Sequence, residues 1–384
     1  MKFPMAIFFI FLPACLADLN SSKRPQEDPV TDSVQDPQNP TNVYVVEPCR
    51  IPEAAYRGVG LGFPRSTDRL NTMGAVKVRV LFADFPDVQA TRTPQQIFDI
   101  LQPTAADFIW DTSYEKMTLV LQPHLVWLRM SNPSTHYAAA IRDFTGHRDW
   151  LQEAVTLADE AVDFGDTDLV LVMATPEAEA IAYGPTWLGF DGNNGALQAD
   201  GVKIYNGITS GADLLQWGGK WLAHELGHSM SLVDLYSYDA AGGFSRPFSL
   251  MDLISSEAPE YFAYERWFLG WIDDRQIACT SQTTTEELTA VERSDGFKAM
   301  AVPVAENRLL VMESRRALGW DSGLSSEGVV VYSVDTTIPS GFGTIQVENE
   351  RQMLQTGQSI EVHGIVVTVE ASTASADTVT VYVP

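Results

Sequence analysis

The chain has 384 residues, of which 45% are hydrophobic and 20% are charged. This composition is typical of a soluble globular protein, and the length allows two domains. The net charge of −25 argues against nucleic acid as a partner, because binding to nucleic acid requires a basic surface.

Residues 1–17 are typical of a secretion signal peptide. One lysine precedes an apolar run over residues 3–12, and small residues follow. The run is too short to span a bilayer, which takes about 20 residues. Cleavage after Ala17 would release the protein, whereas residues 12–15 (LPAC) resemble a bacterial lipobox in which Cys15 becomes a lipidated N-terminus. We expect a secreted or cell-envelope protein without a transmembrane span, either free or anchored by lipid at Cys15.

Residues 18–45 are rich in Pro, Asp, Gln, Asn and Ser and contain few apolar side chains. Such a segment buries too little surface to order itself, so we predict a disordered, acidic and Pro-rich linker.

Residues 46–280 combine strand and helix patterns, which we interpret as one domain. The apolar spacing predicts strands at residues 75–85, 118–128 and 168–174, and helices at residues 93–101, 104–117, 149–164 and 212–230. Alternating strands and helices favour a layered α/β arrangement. Over residues 281–384 short apolar runs replace helical spacing, which predicts a C-terminal β-sandwich-like module with a supporting role.

Residues 224–228 (HELGH) are the most informative stretch of the sequence. Residues four positions apart lie on the same face of a helix, so His224 and His228 can bind one metal ion. Glu225 lies between them, where it can act as the general base toward a water that the metal activates. The alternative is a helix whose polar side chains face solvent or a polar pocket.

A carboxylate follows at Asp234, ten residues after His224. Zinc proteases with the pattern HExxHxxGxxH place their third ligand at this offset, and a carboxylate oxygen is a competent zinc ligand. Residues 248–252 (FSLMD) can form the methionine-bearing turn that underlies the metal in such enzymes, with Met251 as its methionine. The alternative role for Met251 is ordinary core packing.

The sequence resembles the immune inhibitor A-type metalloproteases that bacteria secrete. Four segments carry the resemblance: residues 76–87 (VKVRVLFADFPD), 224–236, 249–272 and 308–335. It implies a fold of the α+β class. This fold has a metzincin-like zinc protease domain, which is a mixed twisted sheet with a zinc-binding helix and a Met-turn, followed by a C-terminal β-rich module. It also implies one catalytic Zn²⁺ held by His224, His228 and Asp234.

The chain departs from this family at Ser231, where the family has Gly. Gly allows the chain to reverse sharply between the helix and the third ligand, and a non-Gly residue at positive φ costs about 1–2 kcal/mol. We therefore expect either an adapted turn or a less well placed Asp234. The alternative third ligands are three later glutamates: Glu257, Glu260 and Glu265.

Several other side chains are candidates for roles around the metal. The candidates to stabilise the oxyanion, chosen by proximity in sequence, are Tyr236, Tyr238 and Tyr261. Asp252 is a candidate to orient a His ring. The remaining histidines have no metal-ligand spacing: His124, His136, His147 and His363. The acidic loops are compatible with structural Ca²⁺, although the sequence has no complete calcium-loop signature.

The cysteines suggest a cross-link. With Cys15 removed or lipidated, Cys49 and Cys279 remain as an even pair, which predicts a disulfide in an exported protein. The alternative is that the thiolate of Cys49 occupies the open metal position as a latency switch.

Together these features predict an exported, monomeric, zinc-dependent endopeptidase acting on proteins or peptides, with residues 46–280 as the catalytic domain. One alternative is a zinc hydrolase of a non-peptide amide. Another is an inactive protease-like module that binds or adheres at the cell surface, with Ser231 as the first sign of lost function. A structural zinc site is disfavoured, because such sites usually use Cys ligands.

Overall fold

A computed structural model describes residues 42–54, 58–240 and 242–384. The predicted signal peptide, Cys15 and most of the predicted linker lie outside the described residues. The described residues belong to one compact unit. Among them, every helix is too short or too polar to cross a bilayer.

The described part of the chain combines few helices with many strands. The helices are α1 (Pro94–Leu101), α2 (Thr104–Thr112), α3 (Ser134–Ala140), α4 (Phe144–Ala158), α5 (Leu214–Trp217), α6 (Gly219–Ser229) and α7 (Ala263–Phe268). The strands are β1 (Gly74–Asp84), β2 (Met117–Arg129), β3 (Leu169–Ala174), β4 (Thr186–Leu188), β5 (Leu197–Ala199), β6 (Val202–Ile204), β7 (Asn206–Thr209), β8 (Ile277–Cys279), β9 (Thr284–Thr289), β10 (Ala299–Ala305), β11 (Arg308–Arg315), β12 (Gly328–Asp335), β13 (Ile345–Val347), β14 (Ser359–Val362), β15 (Ile365–Ser372) and β16 (Ala376–Tyr382). The fold is mixed α and β with a β-rich C-terminal region, as predicted.

The first sheet has five strands in the order β2-β1-β3-β7-β4. β1 runs parallel to β2 and β3, β3 runs parallel to β7, and β4 pairs antiparallel with β7 at the edge. Successive side chains of a strand point to opposite faces. Val78 and Phe82 therefore join the core that includes α1, α2 and α6, while Leu81 and Ala83 join the core that includes α4. The sheet is buried between two helical layers, and α6 belongs to one of them.

Two further large sheets form the C-terminal region. One has the order β13-β12-β11-β10-β8 and the other β14-β15-β16-β9. Met312 and Val331 of the sheet that contains β11 and β12 pack with Val367 and Val379 of the sheet that contains β15 and β16. The opposite face of the sheet that contains β11 and β12, which includes Tyr332, shares a core with α6 and α7. The C-terminal region thus packs directly against the helical layer of α6. The predicted division at residues 280 and 281 stays a prediction.

Two helices differ from the prediction in their bounds, and α4 also ends early, at Ala158 rather than at residue 164. α4 begins before residue 149, because the Asp143 side chain accepts hydrogen bonds from two backbone N–H groups of its first turn. α2 ends well before residue 117, because Tyr114 and Glu115 adopt positive φ values of 54° and 63°. Propensity and spacing alone did not reveal either end.

The helix predicted over residues 212–230 is divided into α5 and α6. Gly218 separates them with φ 56° and ψ −142°, a conformation that glycine adopts without strain. The next residue, Gly219, lies so close to the end of α1 that a Cβ atom there would be 2.6 Å from the Leu101 carbonyl oxygen. The two glycines therefore allow α6 to start in close contact with α1.

The predicted disulfide is confirmed. Cys49 and Cys279 are bonded, with their Cα atoms 6.0 Å apart, across 230 positions of sequence. The alternative role of Cys49 as a latency switch is wrong, because its sulfur is bonded to Cys279. The bond ties the segment that precedes β1 to the last residue of β8.

Removing this disulfide should destabilise the protein. The double substitution C49A/C279A should lower the free energy of unfolding by about 2–5 kcal/mol, since the cross-link restricts a long loop of the unfolded chain. Urea unfolding under non-reducing conditions measures the change. The wild type in reductant should unfold like the double variant, and the double variant should not respond to reductant. An unchanged unfolding midpoint in the double variant would contradict this.

Candidate metal centre and active site

α6 presents the two histidines of residues 224–228 to the same cleft. Leu222 and Leu226 are fully buried and fix the helix on the core, which leaves the imidazoles of His224 and His228 on one side. The ring centroids are 4.9 Å apart and the ring planes are perpendicular. This is the spacing that residues four positions apart provide on a helix.

The chain reverses direction immediately after α6. Ser231 adopts φ 91°, its N–H donates to the His228 carbonyl at 2.9 Å, and the N–H of Leu232 donates to the Gly227 carbonyl at 2.8 Å. The turn expected from a glycine is therefore formed with a serine. It returns the chain toward the helix and brings Asp234 beside the imidazoles.

The Asp234 carboxylate lies between the two histidines. Its Oδ1 atom is 3.2 Å from Nε2 of His224 and 3.2 Å from Nε2 of His228. Oδ1 is buried and has no hydrogen-bond partner. Within the described ranges, these three residues are the only group of three or more His, Cys, Asp or Glu side chains gathered closely enough to hold a metal ion.

Both histidines are oriented by backbone carbonyl groups. Nδ1 of His224 is 3.0 Å from the Leu250 carbonyl oxygen, and Nδ1 of His228 is 2.9 Å from that of Leu232. A carbonyl oxygen only accepts, so Nδ1 carries the hydrogen in each ring, and in the neutral ring Nε2 keeps its lone pair. Asp252, the predicted orienting residue, does not perform this role. Its carboxylate instead accepts from the N–H of Ser245 and from the Arg246 side chain.

This arrangement fits a divalent cation. Burial alone would raise the pKa of Asp234, but the imidazoles of His228 and His224 hold it well below its usual range. Burial would likewise lower the pKa of His228, but the charge of Asp234 outweighs burial and raises it to about 9. A metal ion would replace the proton that this pair otherwise shares, since metal ligands bind in their deprotonated form.

Met251 lies directly beneath the histidine helix. It is fully buried, and a Cβ atom added at Gly227 would meet its Sδ atom at 2.6 Å. The Met251 carbonyl also accepts a hydrogen bond from the N–H of Leu235 at 2.9 Å. The glycine inside the HELGH stretch therefore permits the close approach of this methionine to the helix, and the same turn holds the chain next to Asp234.

Glu225 lines the same cleft and is held by a residue that sequence reasoning missed. The Thr186 hydroxyl of β4 is 2.7 Å from Oε2 of Glu225 and 2.8 Å from its backbone carbonyl. Burial raises the pKa of Glu225, and the two imidazoles act in the opposite direction. Thr186 precedes Glu225 by 39 positions, so no local pattern pointed to it.

The three candidate tyrosines have different positions. Tyr236 and Tyr238 line the cleft, and the Tyr236 ring is 6.4 Å from the ring of His224. Burial and the charge of Asp234 raise the pKa of both phenols above the usual range, so both are hydrogen-bond donors at neutral pH. Tyr261 is fully buried and donates to the Ala223 carbonyl at 2.9 Å. The structure therefore does not bring Tyr261 into the cleft.

The alternative third ligands lie elsewhere. Glu260 forms an ion pair with Arg266, and Glu265 accepts hydrogen bonds from Ser249 Oγ and the N–H of Phe262. Glu257 is exposed. None of the other four histidines joins the metal group in the described part of the chain. The expectation of structural Ca²⁺ stays a prediction.

The cleft around the site has a volume of about 650 Å³. Two charged residues that the sequence did not reveal also line it, Asp213 and Arg246. Burial, together with the charge of Glu225, raises the pKa of Asp213 to about 6. Nε of Arg246 donates to Asp252 at 2.8 Å, which holds this cation at the edge of the cleft. The tertiary fold brings both residues to the cleft, and neither belongs to a sequence motif that could have predicted this position.

The strain at Ser231 can be measured. Ser231→Gly should raise the free energy of unfolding of the metal-free protein by about 0.5–1 kcal/mol. Relief of the positive φ is partly offset, because glycine has more freedom in the unfolded chain. Urea unfolding is the measurement, and Ser231→Ala is the matched control that keeps the strain and should give no stabilisation. A glycine variant no more stable than the alanine variant would contradict the proposed strain.

Comparison with known proteins gives little support for assigning the chain to a family or an activity. No known protein family and no curated protein matches the chain. One similar solved structure is the crystal structure of catalytic inactive OgpA from Akkermansia muciniphila in complex with an O-glycopeptide (glycodrosocin) substrate. The likeness covers 81% of this chain and 92% of that chain, with 11% sequence identity and a TM-score of 0.32. At this TM-score it establishes neither a common fold nor a common activity.

Proposed function

We propose that the protein is an exported, zinc-dependent endopeptidase. The observation that carries this proposal is the Asp234 Oδ1 atom, which is buried without a hydrogen-bond partner, 3.2 Å from Nε2 of both His224 and His228. A buried carboxylate oxygen without a partner is costly, and a cation between the three side chains would compensate it. Glu225 beside this group supplies the base that a hydrolase needs.

Zinc is the metal that best suits the donor set. Two imidazole nitrogens and one carboxylate oxygen are the ligands of many catalytic zinc sites, in which a fourth position stays open. The lack of a thiolate argues against a purely structural zinc site. When bound by these residues, zinc would make water more acidic and polarise a substrate carbonyl.

Glu225 is the proposed general base. The Thr186 hydroxyl holds Oε2, and no described residue donates a hydrogen bond to Oε1, which leaves that oxygen available to a water in the cleft. Oε1 would take the proton of the attacking water and later deliver it to the leaving nitrogen. Burial favours this role, because it raises the pKa of the carboxyl toward the working range.

A protein or peptide substrate is favoured by the edge strand β4. It is the last strand of the first sheet, its Thr186 and Leu188 line the cleft, and among the described strands it pairs only with β7. An extended peptide can add to such an unpaired edge through its own backbone hydrogen bonds. A peptide bond would thereby lie across Glu225 and the metal ligands.

The proposed fold family and location agree with this activity. The helix with its two histidines, the turn at Met251 beneath it and the mixed sheet are features of the metzincin-like fold that the resemblance to immune inhibitor A-type proteases implies. The disulfide is compatible with an oxidising compartment outside the cytosol. Secretion or attachment to the cell envelope, acting as a monomer, completes the proposal.

Replacing the proposed base should slow cleavage strongly without releasing the metal. Glu225→Gln should lower kcat/KM for casein or a peptide by about 10²–10⁴-fold, because only the proton acceptor is lost. The zinc content should stay at that of the wild type. A chelator should stop the wild-type reaction, and added Zn²⁺ should restore it. The matched control is Glu257→Gln, an exposed glutamate that should retain full activity.

The outcomes separate the alternatives. If the wild type binds zinc but cleaves no peptide, the site belongs to a hydrolase of another amide or to an inactive binding module. If the wild type binds no zinc, or if Asp234→Ala binds it as tightly as the wild type, the assignment of the ligands is wrong.

A further inference from the structure

A loop of the C-terminal sheet reaches the third ligand. This loop, residues 336–344, connects β12 to β13, which pair antiparallel through Val334 and Ile345. Its Gly341 N–H donates to the Asp234 carbonyl at 2.9 Å, and its Gly341 carbonyl accepts from the N–H of Tyr238 at 3.1 Å. Backbone hydrogen bonds to Asp234 and Tyr238 therefore hold the loop along the segment that follows the turn after α6.

Ser340 contacts both the backbone and the side chain of Asp234. Its Oγ accepts a hydrogen bond from the Asp234 N–H at 2.9 Å and lies 3.4 Å from Asp234 Oδ2, to which it can donate. The Tyr238 hydroxyl donates to the same Oδ2 atom and is 3.3 Å from Ser340 Oγ. Both donors act on Oδ2, so Oδ1 is the oxygen that faces the imidazoles.

The loop also holds Tyr238 in place. Gly341 has φ 78°, and a Cβ atom there would overlap the Tyr238 ring, so only a glycine fits at this distance. The ring of Phe342 packs against Tyr238 edge to face, with 5.7 Å between centroids. The position of the Tyr238 hydroxyl thus depends on the loop, although Tyr238 itself follows Asp234 closely in sequence.

We propose that this loop is part of the metal centre, with Ser340 and Tyr238 as positioning residues that present Asp234 to the metal through Oδ1 alone. The inference rests on the proposed metal site. It assigns the C-terminal region a role that the sequence did not predict, since the sequence favoured a supporting module. A carboxylate on a short side chain can rotate, and a ligand held by further hydrogen bonds binds its metal more tightly.

Zinc affinity tests this role independently of peptide cleavage. Ser340→Ala and Tyr238→Phe should each weaken zinc binding by about 10–100-fold, the loss that follows removal of a residue that orients a ligand. Competition with a chromophoric chelator measures the dissociation constant. The visible absorption spectrum of the Co²⁺-loaded protein should also change, because the freed carboxylate alters the coordination geometry.

Matched controls separate positioning from stability. Ser326→Ala removes an exposed serine hydroxyl at the opposite end of β12, and Tyr382→Phe removes an exposed phenol from β16. Both controls should bind zinc as the wild type does. The thermal midpoint of each metal-free variant should match the wild type, and Tyr238→Phe, which deletes one oxygen of a half-exposed side chain, keeps the test valid if Ser340→Ala folds poorly.

The outcomes distinguish failure of the proposed role of the loop from failure of the proposed metal site. Wild-type zinc affinity and an unchanged Co²⁺ spectrum in both Ser340→Ala and Tyr238→Phe would overturn the role of the loop while leaving the metal site intact. A wild-type protein that binds no zinc would overturn the proposed metal site and the role of the loop together.

Discussion

The buried carboxylate oxygen of Asp234 is the constraint on which the site depends. It stands 3.2 Å from two imidazole nitrogens and is shielded from water, and while both rings are neutral with the hydrogen on Nδ1 it accepts no hydrogen bond. In that setting the negative charge is stable only with a positive partner, which is either a proton on an imidazole or a metal ion. The raised pKa of His228 and the lowered pKa of Asp234 describe the first case. In the neutral rings Nδ1 donates to a carbonyl oxygen, which leaves the Nε2 lone pairs free to bind a metal ion in the second case.

Three separate parts of the chain hold this oxygen in place. α6 brings the imidazoles, the turn at Met251 supports the helix from below through Gly227, and the loop between β12 and β13 holds Asp234 from the side. The common hydrophobic core explains how segments so distant in sequence meet accurately. The face of the C-terminal sheet that carries Tyr332 belongs to the same core as α6. Well-packed cores transmit position because they leave little room for side chains to shift.

The sequence predicted what depends on local periodicity and missed what depends on tertiary contacts. The i, i+4 pair, the offset of Asp234 and the apolar runs of β1 and β3 are local, and the structure brings them together as expected. The start of α4 depended on the Asp143 cap, and the division of the last predicted helix depended on Gly218. Thr186 and Ser340 could not be found at all. They approach Glu225 and Asp234 across 39 and 106 positions, and a lone threonine or serine carries no signal.

Ser231 is relevant to whether the proposed metal site is intact. A non-glycine residue at φ 91° costs about 1–2 kcal/mol, and such strain persists only where the surrounding structure determines the conformation. Three backbone hydrogen bonds do so here: Ser231 N–H to His228, Leu232 N–H to Gly227, and Gly60 N–H to the Ser231 carbonyl. The strain is therefore absorbed within the turn, and Asp234 remains equidistant from both imidazoles. The serine therefore leaves intact the geometry that the proposed metal site requires, with Asp234 Oδ1 3.2 Å from Nε2 of both imidazoles.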